Sequence, residues 1–134
     1  MSGDSSRPSP QRAFKADQLS VEVYGTREEL GAAAAHDVAQ RMREVIAERG
    51  KVVMVFASAP SQDEFLAHLA ATEGLEWDKV VAFHLDEYVK LPPDAPQGFG
   101  NFLRRRLFDK VKPGVVYFMN GNAPDLEGDC RRYA

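Results

Sequence analysis

Lys51-Val-Val-Met-Val-Phe-Ala57 is the stretch that decides the fold. After one lysine every residue is apolar, without the polar alternation of a strand that has one face in water. A run this short and this uniformly apolar is the mark of a strand in a parallel sheet shielded by helices on both faces. Ser58-Ala-Pro-Ser61 follows as a tight loop, and Phe65, Leu66 and Leu69 then recur at helical spacing until Gly74. Ser61 and Glu64 stand in the capping-box relation, which predicts a helix start there. Strand, short loop and helix in this order predict a βα unit.

The unit repeats along the chain. Lys79 to Leu85 gives a second buried strand that delivers Asp86-Glu87-Tyr88 to its carboxyl end. A proline-bearing loop, Leu91 to Gln97, leads to Phe99, Phe102, Leu103 and Leu107 at helical spacing, and Pro113-Gly114 separates that helix from a third strand, Val115 to Met119. Asn120-Gly-Asn122 turns the chain, and Asp125 caps a last helix whose early turns reach Ala134. On the other side, Thr26 and Glu29 form a second capping box before a stripe of Leu30, Ala34, Val38, Met42, Val45 and Ile46 that Gly50 ends. Before it, Leu19, Val21 and Val23 alternate as in an edge strand. Met1 to Gln11 is rich in Ser and Pro, so residues 1–18 are expected to form a disordered tail and residues 19–134 a single domain. Alternating strands and helices predict an α/β domain with a Rossmann-like, mainly parallel sheet, helices on both faces and right-handed crossovers.

The whole-chain properties narrow the function. At 134 residues there is room for one domain with a real core and not for two. A formal net charge of -3 with scattered signs leaves no basic face for nucleic acid, so a small molecule is the expected partner. No apolar run reaches the ~20 residues of a membrane-spanning helix. The N-terminus lacks a secretion-signal stretch, so the expected location is cytoplasmic. Cys130 stands alone and His36, His68 and His84 are scattered, which predicts a reducing compartment, no metal and no cofactor.

In a parallel sheet, ligands bind outside the carboxyl ends of the strands, where helix N-termini point their free N–H groups. Two loops fit. Ser58 to Ser61 precedes a helix carrying about half a positive charge at its start and could receive a phosphate, although capping serines are commoner than ligand-binding ones. Asp86-Glu87-Tyr88 places two carboxylates and a phenol after a buried strand, where partial desolvation would favour a general base; a strand-end turn with solvated acids fits the spacing as well. His84 shares a face with Asp86 if the strand alternates and reads as a core or supporting histidine. Arg104, Arg105 and Arg106 read as a solvated helix face or a subunit contact.

Val80-Val-Ala-Phe-His-Leu-Asp-Glu-Tyr-Val-Lys-Leu-Pro92 resembles the Asp-Glu-Tyr segment of glucosamine-6-phosphate deaminases. The likeness continues through Arg105-Arg-Leu-Phe-Asp-Lys-Val111 and Met119-Asn-Gly-Asn-Ala-Pro-Asp125, and spans roughly residues 26 to 134. The resemblance implies the fold shared with ribose-5-phosphate isomerase and coenzyme A transferases, here only its N-terminal portion, and a homo-oligomer for the full-length protein. It makes Asp86 the general base that moves a proton between C2 and C1 of an opened amino sugar phosphate, giving fructose 6-phosphate and ammonia. Glu87 and Tyr88 would support or line the sugar pocket, and Ser58 and Ser61 would be the phosphate ligands.

The sequence departs from the family pattern in two places. Ala59 and Pro60 stand where the family has two glycines in a Thr-Gly-Gly-Thr turn, and proline has no N–H to donate. The family's later segment, which supplies a histidine and acids for ring opening, has no counterpart before Ala134, so the fragment alone is expected to be inactive. A 6-phosphogluconolactonase-like hydrolase and a non-catalytic sugar-phosphate-binding module remain as alternatives.

Overall fold

The computed structural model describes residues 7–134. Strands Val52–Phe56 (β3), Val80–His84 (β4) and Val115–Tyr117 (β5) form one parallel sheet in the order β3-β4-β5, preceded by an antiparallel hairpin of Arg12–Ala16 (β1) and Leu19–Val23 (β2). The helices are Arg27–Arg49 (α1), Asp63–Ala71 (α2), Phe99–Leu103 (α3), Asp109–Val111 (α4) and Leu126–Tyr133 (α5). A π turn, Arg104–Phe108, joins α3 to α4 without a break.

The apolar run within Lys51 to Ala57 forms β3, and its residues alternate between faces as the pleat requires. Rows Val52–Val80, Met54–Ala82–Val116 and Phe56–His84 face the helices. There Val80 and Ala82 meet Ala35, Ala39, Met42 and Ile46 of α1, Leu66 and Leu69 of α2, and Leu103 and Leu107 from the third helix. Rows Val53–Val81–Val115 and Val55–Phe83–Tyr117 form the other face, with Val53 58%, Val55 61%, Val115 41% and Tyr117 46% exposed. The α/β class and parallel sheet hold; among the described residues α1, α2 and α3 pack on one face, and α5 reaches the other through Tyr133. Strands added successively in one direction by crossovers of one hand put every connecting helix on the same side; only a reversal of strand order brings helices to the other. Among the described residues, Tyr133 makes the ring contact to that face, edge-on against Phe83 at 5.3 Å.

An apolar face of this extent is unusual on a soluble monomer. The 134-residue chain alone is therefore expected to self-associate at micromolar concentration, and V53K/V55K to reduce the association. Sedimentation velocity tests this, and a monomeric unmodified chain contradicts it.

The helix caps form as read at α1. Thr26 accepts from the Glu29 N–H at 3.1 Å, and the Glu29 carboxylate reaches back past the cap residue to accept from the Gly25 N–H at 3.1 Å, a variant of the capping box shifted by one residue. Gly50 ends the helix at φ 79, where L side chains are strained. Leu30, assigned to the apolar stripe, is 52% exposed; Gly31 beside it is buried, and a Cβ there would meet Glu64 and the Phe65 backbone within 2.8 Å. Close approach of α1 to α2 therefore rests on small residues, which a search for large apolar ones passes over.

Part of the stretch expected to be a disordered tail is a strand: β1 pairs with β2 from Arg12↔Val23 to Ala16↔Leu19. Arg7 fastens the hairpin to α1 through Asp37 at 2.7 Å and Glu22 at 3.0 Å. Polar composition hid a strand whose two faces are both exposed. Met1 to Ser6, the rest of that expectation, lie outside the described residues.

Candidate functional site

The loops after β3 and β4 meet at the start of α3. Leu85 continues β4 by donating its N–H to the Phe56 carbonyl at 2.9 Å, and Asp86 is the next residue beyond the central strand. Asp86 stands exposed, and it makes no hydrogen bond or ion pair among the described residues. The partial desolvation expected from its place after a buried strand is absent here.

Glu87 turns the other way. Its Oε1 accepts from the N–H of Tyr88 at 3.0 Å and of Phe99 at 2.8 Å, and its Oε2 from that of Gly100 at 2.9 Å. A carboxylate on the free N–H groups of a helix start satisfies both the hydrogen bonds and the helix dipole. Glu87 thus anchors the Asp86 loop to α3, and both its oxygens are occupied by the backbone. Gly100 leaves the room: a Cβ there would lie 3.3 Å from Glu87 Oε2 and 3.0 Å from the Phe118 ring.

Ser58 is 7% exposed and donates its hydroxyl to the Phe99 carbonyl at 3.2 Å. Ser58 and Glu87, assigned separately from sequence, therefore converge on Phe99. Tyr88 is 50% exposed, with its ring 4.6 Å from that of Phe99. Ser61 is exposed, and no contact joins it to Asp86, Glu87 or Tyr88.

The capping box predicted at Ser61 does not form. Pro60–Gln62 is a separate turn, and α2 starts without a side-chain cap. Glu64, the expected partner, instead accepts from Arg27 at 2.6 and 3.1 Å, and that guanidinium also donates to the Pro60 carbonyl at 2.9 Å. An ion pair with Arg27, which holds the Glu64 carboxyl below its usual range, outcompetes a serine contact. Asp63 has Arg106 Nε 3.2 Å away, close enough for an ion pair but not aligned as a hydrogen bond.

The loop that follows Tyr88 is stitched down along its length. The Leu91 carbonyl accepts from Asn122 at 2.7 Å, those of Pro93 and Ala95 from Asn101 at 2.8 and 2.9 Å, and that of Pro96 from Arg105 at 2.9 Å. Gly121 is required because a Cβ would collide with the Tyr88 carbonyl. A cavity of about 250 Å³ lies behind this loop, bordered by Glu87, Gly100, Arg104 and Phe118, with the Arg104 guanidinium 4.2 Å over the Phe118 ring.

His84 is fully buried beneath the site, and its Nε2 accepts from the Met119 N–H at 2.8 Å. Accepting at Nε2 places the proton of the neutral ring on Nδ1, which has no partner. The Tyr133 hydroxyl accepts from the His84 N–H at 2.8 Å and donates to its carbonyl at 2.6 Å, with the Tyr117 carbonyl 3.2 Å away. It fills the gap where β4 and β5 part. The pairing with Met119 and the roles of Phe99, Gly100 and Tyr133 were not evident in the sequence; the glycines at 98 and 100 were the signal of a close approach.

Burial holds the His84 pKa below its ordinary value. Between the folded pKa and the unfolded value of ~6.5 the unfolded chain binds more protons, so stability falls as pH drops through that window and is level above it. His84→Gln is expected to flatten this slope in urea titrations between pH 5 and pH 7 (roughly the imidazole range), and an unchanged slope refutes it. The described residues contain no cluster of His, Cys, Asp or Glu able to hold a metal, and no helix long and apolar enough to cross a membrane.

Residues 25–134 match the family model described as glucosamine-6-phosphate isomerases/6-phosphogluconolactonase. Glucosamine-6-phosphate deaminase 1 of Giardia intestinalis is 40% identical over 102 residues, which are 72% of this chain and 38% of that protein. A solved monomeric glucosamine-6-phosphate deaminase superposes with a TM-score of 0.70 at 33% identity, covering 81% of this chain and 45% of its own. A 6-phosphogluconolactonase from Shewanella baltica superposes at 0.72 with 17% identity, over 81% of this chain and 46% of its own, and shows the fold alone. The chain thus spans less than half the length of these proteins. The motifs after β4, the parallel sheet and the family match agree: the chain belongs to the glucosamine-6-phosphate isomerase/6-phosphogluconolactonase family.

Proposed function

We propose that this chain carries the proton-transferring part of an amino-sugar isomerase-deaminase, with Asp86 as the base. The observation that carries the proposal is the exposed, unpaired Asp86 carboxylate at the carboxyl end of the central parallel strand, next to a Glu87 whose two oxygens are spent on fixing the loop. In this reading Asp86 removes the C2 proton of the open-chain 2-amino aldose and returns it to C1. The carbonyl oxygen takes up a proton to become the C1 hydroxyl as the amino nitrogen gives one up and C2 becomes an imine, and water then adds at C2 and displaces ammonia to leave the ketose. The relatives' names supply the sugar: glucosamine 6-phosphate for the deaminases.

Tyr88, half-exposed over Phe99, borders the sugar position, while Ser58 and Glu87 act from behind by fixing the backbone. Ring opening needs acids and a histidine, which the second part of a full-length protein would bring to the same mouth.

The test is exchange of the C2 hydrogen of glucosamine, or of its 6-phosphate, with solvent deuterium, followed by NMR in the protein that contains this chain. Exchange together with ammonia release supports the proposal. Hydrolysis of 6-phosphogluconolactone without exchange establishes the lactonase alternative.

A further inference from the structure

The two halves of the Asp86 loop are anchored differently. On either side of Asp86, Leu85 bonds to the Phe56 carbonyl of β3 and Glu87 to the N–H groups of Phe99 and Gly100 in α3. Tyr88 to Leu91 hang instead on the turn at 119–122. The Lys90 N–H donates to the Gly121 carbonyl at 3.0 Å, the Asn122 amide donates to the Leu91 carbonyl at 2.7 Å, and Gly121 packs against the Tyr88 carbonyl. Lys90 has φ 63, a left-handed conformation that a residue with a side chain keeps only under constraint from its surroundings. The turn supplies that constraint.

The turn itself is fastened at two points. Asn120 donates its N–H to Asp129 of α5 at 2.8 Å, and Met119 donates its N–H to His84 Nε2 at 2.8 Å. His84 is fully buried, and this is the one hydrogen bond its ring makes among the described residues. An aliphatic side chain would fill the same space without the cost of burying a polar ring. What the imidazole adds is an acceptor for a part-buried N–H that would otherwise go unpaired.

We propose that His84 is a positioning residue for the wall of the sugar site: its neutral Nε2 holds Met119 and, through turn 119–122, sets Tyr88 to Leu91 beside Asp86 without fixing Asp86 itself. For its effect on turnover the proposal rests on the reading of the Asp86 mouth as a sugar site. Burial opposes a proton on the ring, Glu87 and Asp86 favour one, and Arg104 opposes it, while the Tyr133 hydroxyl meets only the His84 backbone. The neutral ring is the form that can accept from Met119.

Two substitutions separate the acceptor from the bulk. His84→Gln keeps an acceptor oxygen near the Nε2 position, whereas His84→Leu fills the volume and removes it. Hydrogen exchange of the full 134-residue chain, read by mass spectrometry, is expected to show protection of 88–91 and 119–122 falling on the order of tenfold in His84→Leu and returning in His84→Gln. Protection of 52–56 and 99–103 is expected to stay unchanged in both. Asn122→Ala cuts the connection at its exposed end and is expected to lower protection of 88–91, which keeps the test intact even if His84→Leu does not fold. Unchanged protection of 88–91 in Asn122→Ala, or equal loss in His84→Gln and His84→Leu, overturns the proposal.

In the protein that contains this chain, His84→Leu and Asn122→Ala are expected to raise KM for the amino sugar on the order of tenfold with kcat within a few-fold, and His84→Gln to restore KM. A fall in kcat at unchanged KM places the effect on Asp86 and overturns the proposal. Absence of C2-hydrogen exchange in the unmodified protein removes the Asp86 reading and with it the effect on turnover, while protection of 88–91 still decides the role of His84.

Discussion

Replacing Asp86 by Asn is expected to reduce C2-hydrogen exchange on the amino sugar by ~10² to 10⁴-fold in the protein that contains this chain, the range a positioned general base contributes. The variant keeps the shape of the side chain and removes the basicity. Because Asp86 is exposed and makes no hydrogen bond or ion pair among the described residues, the fold loses little by the change. Binding of the sugar should persist within a few-fold, so the loss falls on turnover rather than on KM. Exchange by NMR in deuterated buffer measures the effect directly. Undiminished exchange in Asp86→Asn assigns the proton transfer to another group.

Glu87→Ala is expected to be the most destabilising change at the mouth. Removing the carboxylate strands the N–H groups of Phe99 and Gly100, which sit part-buried at the head of a helix. Hydrogen bonds to a charged acceptor contribute ~1.5–3 kcal/mol each, so a loss of about 3 kcal/mol in urea unfolding is expected. Glu87→Gln keeps one acceptor oxygen and should recover part of it. The same variants separate anchoring from substrate contact: an anchoring Glu87 lowers stability and turnover together, with Gln restoring both. A Glu87→Ala chain as stable as the unmodified one removes the anchoring role.

The parts of this fold that were legible in the sequence are those in which burial and periodicity point the same way. Lys51 to Ala57 and Lys79 to Leu85 could be read as buried strands of a parallel sheet because each is largely apolar on both pleats, and the structure pairs them from Val52↔Val80 to Phe56↔His84. The same uniformity does not say how much of each face is covered within these residues. Val53 and Val55 are as apolar as residues awaiting cover, yet in the described chain they face outward. Composition encodes what a face is suited to meet, not whether that partner lies within these residues.

At the mouth, the identity of the groups was legible and their partners were not. Asp86 follows from its place after β4. That Glu87 spends itself on Phe99 and Gly100, or that Glu64 prefers Arg27 to the Ser61 loop, depends on contacts between residues far apart in the chain, which spacing does not carry. His84 is the intermediate case. Alternation put it on the buried face, but its acceptor bond to Met119 comes from a third strand's exit.

The Tyr133 phenol works as a spacer between two rails. With its oxygen lodged beside His84, β4 and β5 stop zipping after Phe83 and Tyr117, and the two chain exits diverge. Take that one ring away and the natural next rung would pair His84 with Phe118, drawing Met119 off the imidazole. The point at which the two strands part is therefore held from the far end of the described polypeptide, by a side chain that belongs to neither rail.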